Sequence, residues 1–269
     1  MNNTSKVSSF LAVLLAISCG SHAALATTIS VDASPVMSTG YESDTVGAAP
    51  AAWSFVGGTS PVSPTVTNAG SPGAYQPNNY LELPPATGGS SPVVRYDFAP
   101  VIGAGDVGTT IRFETMLYSD TQSTTNGTVP FQMVWFNTSG ITSGASNSPI
   151  HTAMFTTGGA GTSLDFQYYN GSAYVATGHV LSANTWNHLL IEYEIGAGSW
   201  SATLNGSTVS GLAFNSNSNA NLGIGSISFF TNLDAAGSVY MDIVPEPTSG
   251  MLLGIGGLLG MLVARRRLR

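Results

Sequence analysis

Charge is scarce in this chain: only 8% of its 269 residues are Asp, Glu, Lys or Arg. Cations are scarcer still away from the ends. Positions 27–243 contain no lysine and only Arg95 and Arg112, against thirteen acids, a balance of −11. Such a surface cannot neutralise a phosphate backbone, which excludes nucleic acid as a partner, and acidic lipid headgroups do not attract it. The only cysteine is Cys19, in an apolar N-terminal run, so 27–243 can hold no disulfide, thiolate metal site or cysteine nucleophile. Amphipathic helical stretches of convincing length are also missing. Disorder does not follow from these absences, because aromatic and β-branched residues run through the interior.

Both ends have the composition of addressing segments. Met1 to Lys6 is polar with one positive charge, Phe10–Ile17 is a short apolar run, and Ala24-Leu25-Ala26 offers small residues at the two positions a signal peptidase requires. This order predicts a secretory signal peptide over 1–26, cut after Ala26, with Ser21-His22-Ala23 as a second cut. The apolar run is too short to span ~30 Å of hydrocarbon as an anchor. Acylation at Cys19 would require a leucine where Ala16 stands.

The C-terminal end has three parts. Val244-Pro245-Glu246-Pro247-Thr248 leads, sixteen uncharged residues from Ser249 to Ala264 follow, and Arg265, Arg266, Arg267 and Arg269 close the chain. Pro245 and Pro247 fix φ and hold the backbone extended for a processing enzyme. The uncharged stretch is expected to form a short transmembrane helix lengthened by snorkelling arginines. The basic cluster Arg265, Arg266, Arg267 stays cytoplasmic and orients the rest outward. This order resembles the PEP-CTERM sorting signal of exosortase substrates in Gram-negative bacteria. The resemblance implies transient retention in the inner membrane, exosortase cleavage near Pro245-Glu246-Pro247, and transfer to the cell surface or an exopolysaccharide-rich biofilm matrix.

Between the addresses lie about 217 residues, enough for one large β domain. Alternating segments bounded by Gly, Pro, Asn and Ser predict strands at Tyr80–Leu83, Val93–Phe98, Thr110–Tyr118, Val129–Phe136, Ile150–Phe155, Leu164–Tyr169, Trp186–Ile195, Trp200–Leu204, Ile224–Phe230 and Val239–Ile243. Asn126-Gly127, Asn170-Gly171 and Asn205-Gly206 are hairpin-type dipeptides, since both residues tolerate positive φ. In Trp186–Ile195 the period of two puts Leu189, Ile191, Tyr193 and Ile195 on one face, expected to be the core, and His188, Leu190, Glu192 and Glu194 on the other. The expected architecture is an all-β, two-sheet sandwich. Asn184-Thr-Trp-Asn-His-Leu-Leu-Ile-Glu-Tyr193 with Trp200 and Leu204-Asn-Gly206 resembles concanavalin-like and laminin-G-like jelly rolls, in which a Trp-x-His strand pairs with one ending in an Asn-Gly turn. Ser238–Ile243 and Tyr41–Pro50 before Trp53 are similar to their closing and opening segments.

Catalytic chemistry has little support. Glu192 and Glu194 share a strand face about 6.6 Å apart at Cα, a spacing open to glycoside hydrolysis. Jelly-roll glycanases use a Glu-x-Asp-x-x-Glu strand, whereas this one reads Glu192-Tyr-Glu-Ile-Gly-Ala197, so the last acid is missing. A solvated outer face is the reading adopted for the pair, and no catalytic residue is assigned. His151, His179 and His188 lack metal spacing, and no Asp-rich calcium loop occurs, so no cofactor is expected. A structural calcium at scattered acids such as Asp120 or Asp165 would have no motif behind it. Gly103-Ala-Gly105 lacks the strand–turn–helix context of a nucleotide loop. Tyr168, Tyr169 and Tyr174 flank the Asn170-Gly171 turn, where exposed rings stack on sugars; aromatics packing on their own hairpin is the competing reading. The expectation is a non-catalytic surface or matrix protein, handled by signal peptidase and exosortase, with polysaccharide as the ligand class in view. A degenerate hydrolase and a purely structural matrix protein are the alternatives.

Overall fold

The computed structural model describes residues 27–39, 41–51, 53–55, 64–68, 72–74, 79–85, 93–120, 131–136, 149–158, 163–215, 223–231 and 237–242. The expected signal peptide, the sorting segment and the Asn126-Gly127 hairpin lie outside the described residues. Those that are described form sixteen strands: β1 Thr27–Val31, β2 Ser34–Thr39, β3 Ser54–Phe55, β4 Thr65–Thr67, β5 Tyr80–Leu83, β6 Val93–Ile102, β7 Thr110–Ser119, β8 Phe131–Phe136, β9 Pro149–Gly158, β10 Ser163–Tyr169, β11 Tyr174–Ser182, β12 Asn187–Glu194, β13 Trp200–Leu204, β14 Ser207–Leu212, β15 Ile224–Phe230 and β16 Val239–Asp242.

The strands make two antiparallel sheets. The first runs β14-β13-β12-β7-β16-β5-β4, with β1 also on β7 and β2 on β1; the second runs β11-β10-β9-β8-β15-β6-β3. Aromatic rings join them face to face. Phe113 of the first sheet and Phe229 of the second have centroids 4.5 Å apart, Tyr193 meets Trp135 at 6.3 Å, and Trp200 meets Phe166 at 6.3 Å. One continuous apolar core fills the space between. The two-sheet sandwich expected from the strand pattern is therefore present. Replacing Phe229, which also touches Trp53 and Phe131, with alanine would cost about 3–5 kcal/mol.

Local sequence explains the register. On β12, Leu189, Ile191 and Tyr193 are fully buried, as is Ile195 just beyond the strand, in line with the alternation. Leu190 is buried too, although its position faces outward. Asn205 (φ +49) and Gly206 (φ +82) make a two-residue turn between Leu204 and Ser207, a type I′ hairpin. The Asn170-Gly171 turn works differently. Only Gly171 has positive φ, while the Asn170 side chain accepts hydrogen bonds from the backbone N–H groups of Ser172 (3.0 Å) and Ala173 (2.9 Å).

The first and last described strands meet end to end on one edge of β7. Thr28 stands opposite Glu114 and Asp242 opposite Met116, which leaves Thr115 at the junction. There the hydroxyls of Thr27 and Thr115 lie 2.9 Å apart, and each reaches the Asp242 carbonyl oxygen at 3.0 Å, all of it buried. Beside this junction Tyr80, Tyr118 and Tyr240 form a second, smaller aromatic cluster, with Trp186 against it donating to the Gly73 carbonyl at 3.3 Å.

Candidate functional site

Two exposed surfaces carry the polar side chains singled out in the sequence. On the outer face of the first sheet, Glu192 of β12 stands opposite Arg112 of β7, and their side chains form an ion pair at 3.1 Å. His188 Nε2 lies 2.8 Å from Glu114 Oε1. That hydrogen bond, with the charges of His188 and Arg112 adding to it, holds the Glu114 carboxyl below the usual carboxylate range despite partial burial. Glu194 is exposed. Both β12 acids line a shallow concavity of 370 Å³ together with Thr110, Ser199, Ser201 and Ser210. The two glutamates thus share a solvated face, with Glu192 engaged by Arg112.

The second surface lies on the outer face of the second sheet. Along β10, Leu164 and Phe166 point into the core, so the pleat sends Tyr168 inward and Tyr169 outward. Tyr168 packs edge-on against Trp200 at 6.3 Å. Tyr169 pairs across the hairpin with Tyr174 of β11, their rings 5.2 Å apart. Tyr174 is 45% exposed, and its phenol is hydrogen-bonded to the side chain of Gln132, an outward-facing residue of β8. Burial, and then the neighbouring Tyr169, push the Tyr174 phenol up from its ordinary value. The structure thus divides the three tyrosines: Tyr169 and Tyr174 form an outward pair and Tyr168 belongs to the core side. Gln132 carries no sequence signal, because its nearness to Tyr174 depends on strand order.

The remaining sequence candidates stay apart. His179 Nε2 is 3.1 Å from Ser207 Oγ, and His188 serves Glu114. Asp120 follows β7 in the first sheet, whereas Asp165 sits on β10 in the second. Among the described residues, no three His, Cys, Asp or Glu side chains gather as a metal centre would require. Gly103-Ala-Gly105 belongs to a tight turn from β6 to β7, closed by the Gly103 N–H donating to Asp106 Oδ2 at 2.8 Å.

The C-terminal end matches a sorting motif. Residues 244–267 match the PEP-CTERM protein-sorting motif, so the chain carries that motif and, with it, the mark of an exported, exosortase-sorted protein. No curated protein matches the sequence. Among solved structures, the fold is similar to a carbohydrate esterase from the Shiga toxin-encoding bacteriophage phi24B, at 14% identity and TM-score 0.49 over 71% of this chain and 87% of that one. It is also similar to an alginate lyase from Pseudomonas aeruginosa, at 10% identity and TM-score 0.44 over 66% and 82%. An alginate lyase from a Chlorella virus gives 11% identity and TM-score 0.42 over 72% and 92%. No residue role follows from likenesses this distant.

Proposed function

We propose that this is a non-catalytic surface or matrix protein, exported, released by an exosortase at Pro245-Glu246-Pro247, and binding a neutral glycan at Tyr169 and Tyr174. The sorting motif over 244–267 supports the first half. The outward Tyr169–Tyr174 pair beside Gln132 supports the second: two rings at 5.2 Å offer a stacking surface, and an amide beside them pairs with sugar hydroxyls. Charge selects the glycan class. Both cations of 27–243 are engaged with acids, Arg95 with Asp97 at 2.8 Å and Arg112 with Glu192 at 3.1 Å. A uronate or sulfated polymer would meet a domain of net charge −11 with no lysine, so the fitting ligand is uncharged.

The test is binding of the processed protein to immobilised neutral and acidic polysaccharides. Tyr174→Ala is expected to weaken neutral-glycan binding by about tenfold, or ~1.4 kcal/mol. Equal binding by Tyr174→Ala, or a preference for acidic polymers, would sink the proposed ligand site. Release of reducing sugar that disappears in Glu192→Gln would favour a hydrolase centred on the first sheet. Mass spectrometry of the surface protein tests the sorting half: molecules ending at Arg269 as the main species would mean simple anchoring.

A further inference from the structure

We infer that exosortase cleavage precedes the docking of β16, so that completion of the sandwich closes the time available for processing. The inference rests on the sorting reading above and adds an order of events to it.

The geometry at Thr115 carries it. Continuing each register by one residue brings positions 27 and 243 to the same place opposite Thr115. Thr27 fills that place, fully buried, with its hydroxyl on the Asp242 carbonyl. β16 therefore has no ladder position on β7 beyond Asp242. Between Asp242 and Pro245 stand only Ile243 and Val244. Three Cα steps reach at most ~11 Å. Packed sheets lie about 10 Å apart, so Pro245 stays within about one sheet spacing of Asp242. An enzyme that encloses a segment so close to Asp242 competes for space with the strands packed around β16.

Gripping further upstream is no solution while β16 is docked. Val239, Met241 and Asp242 are fully buried, and β16 lies between β7 and β5 rather than at an edge. Freeing it breaks two ladders and detaches β5 and β4 from β7. Cleavage of a docked molecule is thus limited to the rare population in which β16 has opened. Because β16 is the last described strand, the sheet cannot close until the chain just ahead of the sorting segment has crossed the membrane.

The experiment is a pulse-chase of the full chain in cells that contain its exosortase, following loss of the C-terminal segment by mass or mobility. The parent chain should be cut early, with molecules that fold uncut remaining uncut. A flexible Gly-Ser spacer of about eight residues between Ile243 and Val244 leaves β16 and the motif intact. It should let folded molecules be cut, raising the late rate at least about tenfold. Thr115→Val, which removes one hydroxyl from the Asp242 carbonyl, should raise the late rate in the same direction by a smaller factor. A parent chain whose late cleavage is as fast as that of the spacer chain would overturn the inference while leaving the sorting reading intact. Absence of cleavage in both chains would overturn the two together.

Discussion

Asn205 and His188 are joined twice across the β12–β13 hairpin: the His188 N–H donates to Asn205 Oδ1 at 2.8 Å, and the Asn205 N–H donates to the His188 carbonyl at 3.0 Å. Asn205 Nδ2 also donates to Asn187 Oδ1 at 2.9 Å. A single turn residue thereby locks the start of one strand to the end of the next while holding positive φ. Asn205→Ala loses both side-chain bonds and the tolerance for φ +49, and is expected to destabilise by about 2–4 kcal/mol. Asn205→Asp keeps the acceptor for His188 and should lose less. Urea unfolding midpoints of the two variants check the order.

Asp32 and Ala33 make the β1–β2 turn with φ +47 and +64, and alanine is poorly suited to that region. Ala33→Gly is expected to stabilise by about 0.5–1 kcal/mol after the extra freedom of the unfolded glycine is counted. Gly206→Ala, at φ +82, should move the midpoint the other way.

Burial pushes the phenols of Tyr193 and Tyr240 up to about 12 from 10.0, and that of Tyr41 higher still. A phenol whose folded value is raised contributes stability that is whole below the unfolded value and lost as pH rises from 10 towards 12. Alkaline unfolding is therefore expected in that window, with tyrosinate absorbance and loss of the β signal appearing together. Tyr193→Phe should make the alkaline limb shallower. Tyrosines that ionise at their ordinary value in a still-folded protein would contradict this.

The Glu114 carboxyl is lowered chiefly by its hydrogen bond to His188. Its contribution is present above the unfolded value of 4.5 and is lost as pH falls through the folded one. Both side chains are about a third exposed, so solvent screening keeps the effect below ~1 kcal/mol. Glu114→Gln should flatten the acid limb of the unfolding midpoint below that pH by lowering neutral stability, by less than ~1 kcal/mol, while leaving stability in acid nearly unchanged.

The central strands were legible because each buries every second residue: Leu189, Ile191 and Tyr193 announced β12, and Phe131, Met133 and Trp135 announced β8. β11 and β14 were not, because they lie at sheet edges. Their faces read mostly exposed, so apolar residues do not concentrate on one side and the period of two in hydrophobicity disappears. β1 to β4 also escaped, because Thr, Ser and Pro occupy much of them and leave few apolar residues to mark a face. The tyrosine cluster by the Asn170-Gly171 turn was visible as composition, but only the pleat separates inward Tyr168 from outward Tyr169. The Thr27–Thr115–Asp242 junction had no signal at all, since three residues so distant in sequence meet only through strand order.

The central place of β16 also decides how the domain bears load. Its ladder bonds to β7 and β5 run perpendicular to the strand. A pull on the C-terminal end along the strand axis strains both ladders at once, in shear, whereas the edge strand β14 is held by a single ladder. Single-molecule extension from the end of β16 is accordingly expected to need more force than extension from a handle on β14. The strand next to the sorting motif is thus the one through which a load on the C-terminal end enters the sandwich at its best-held point.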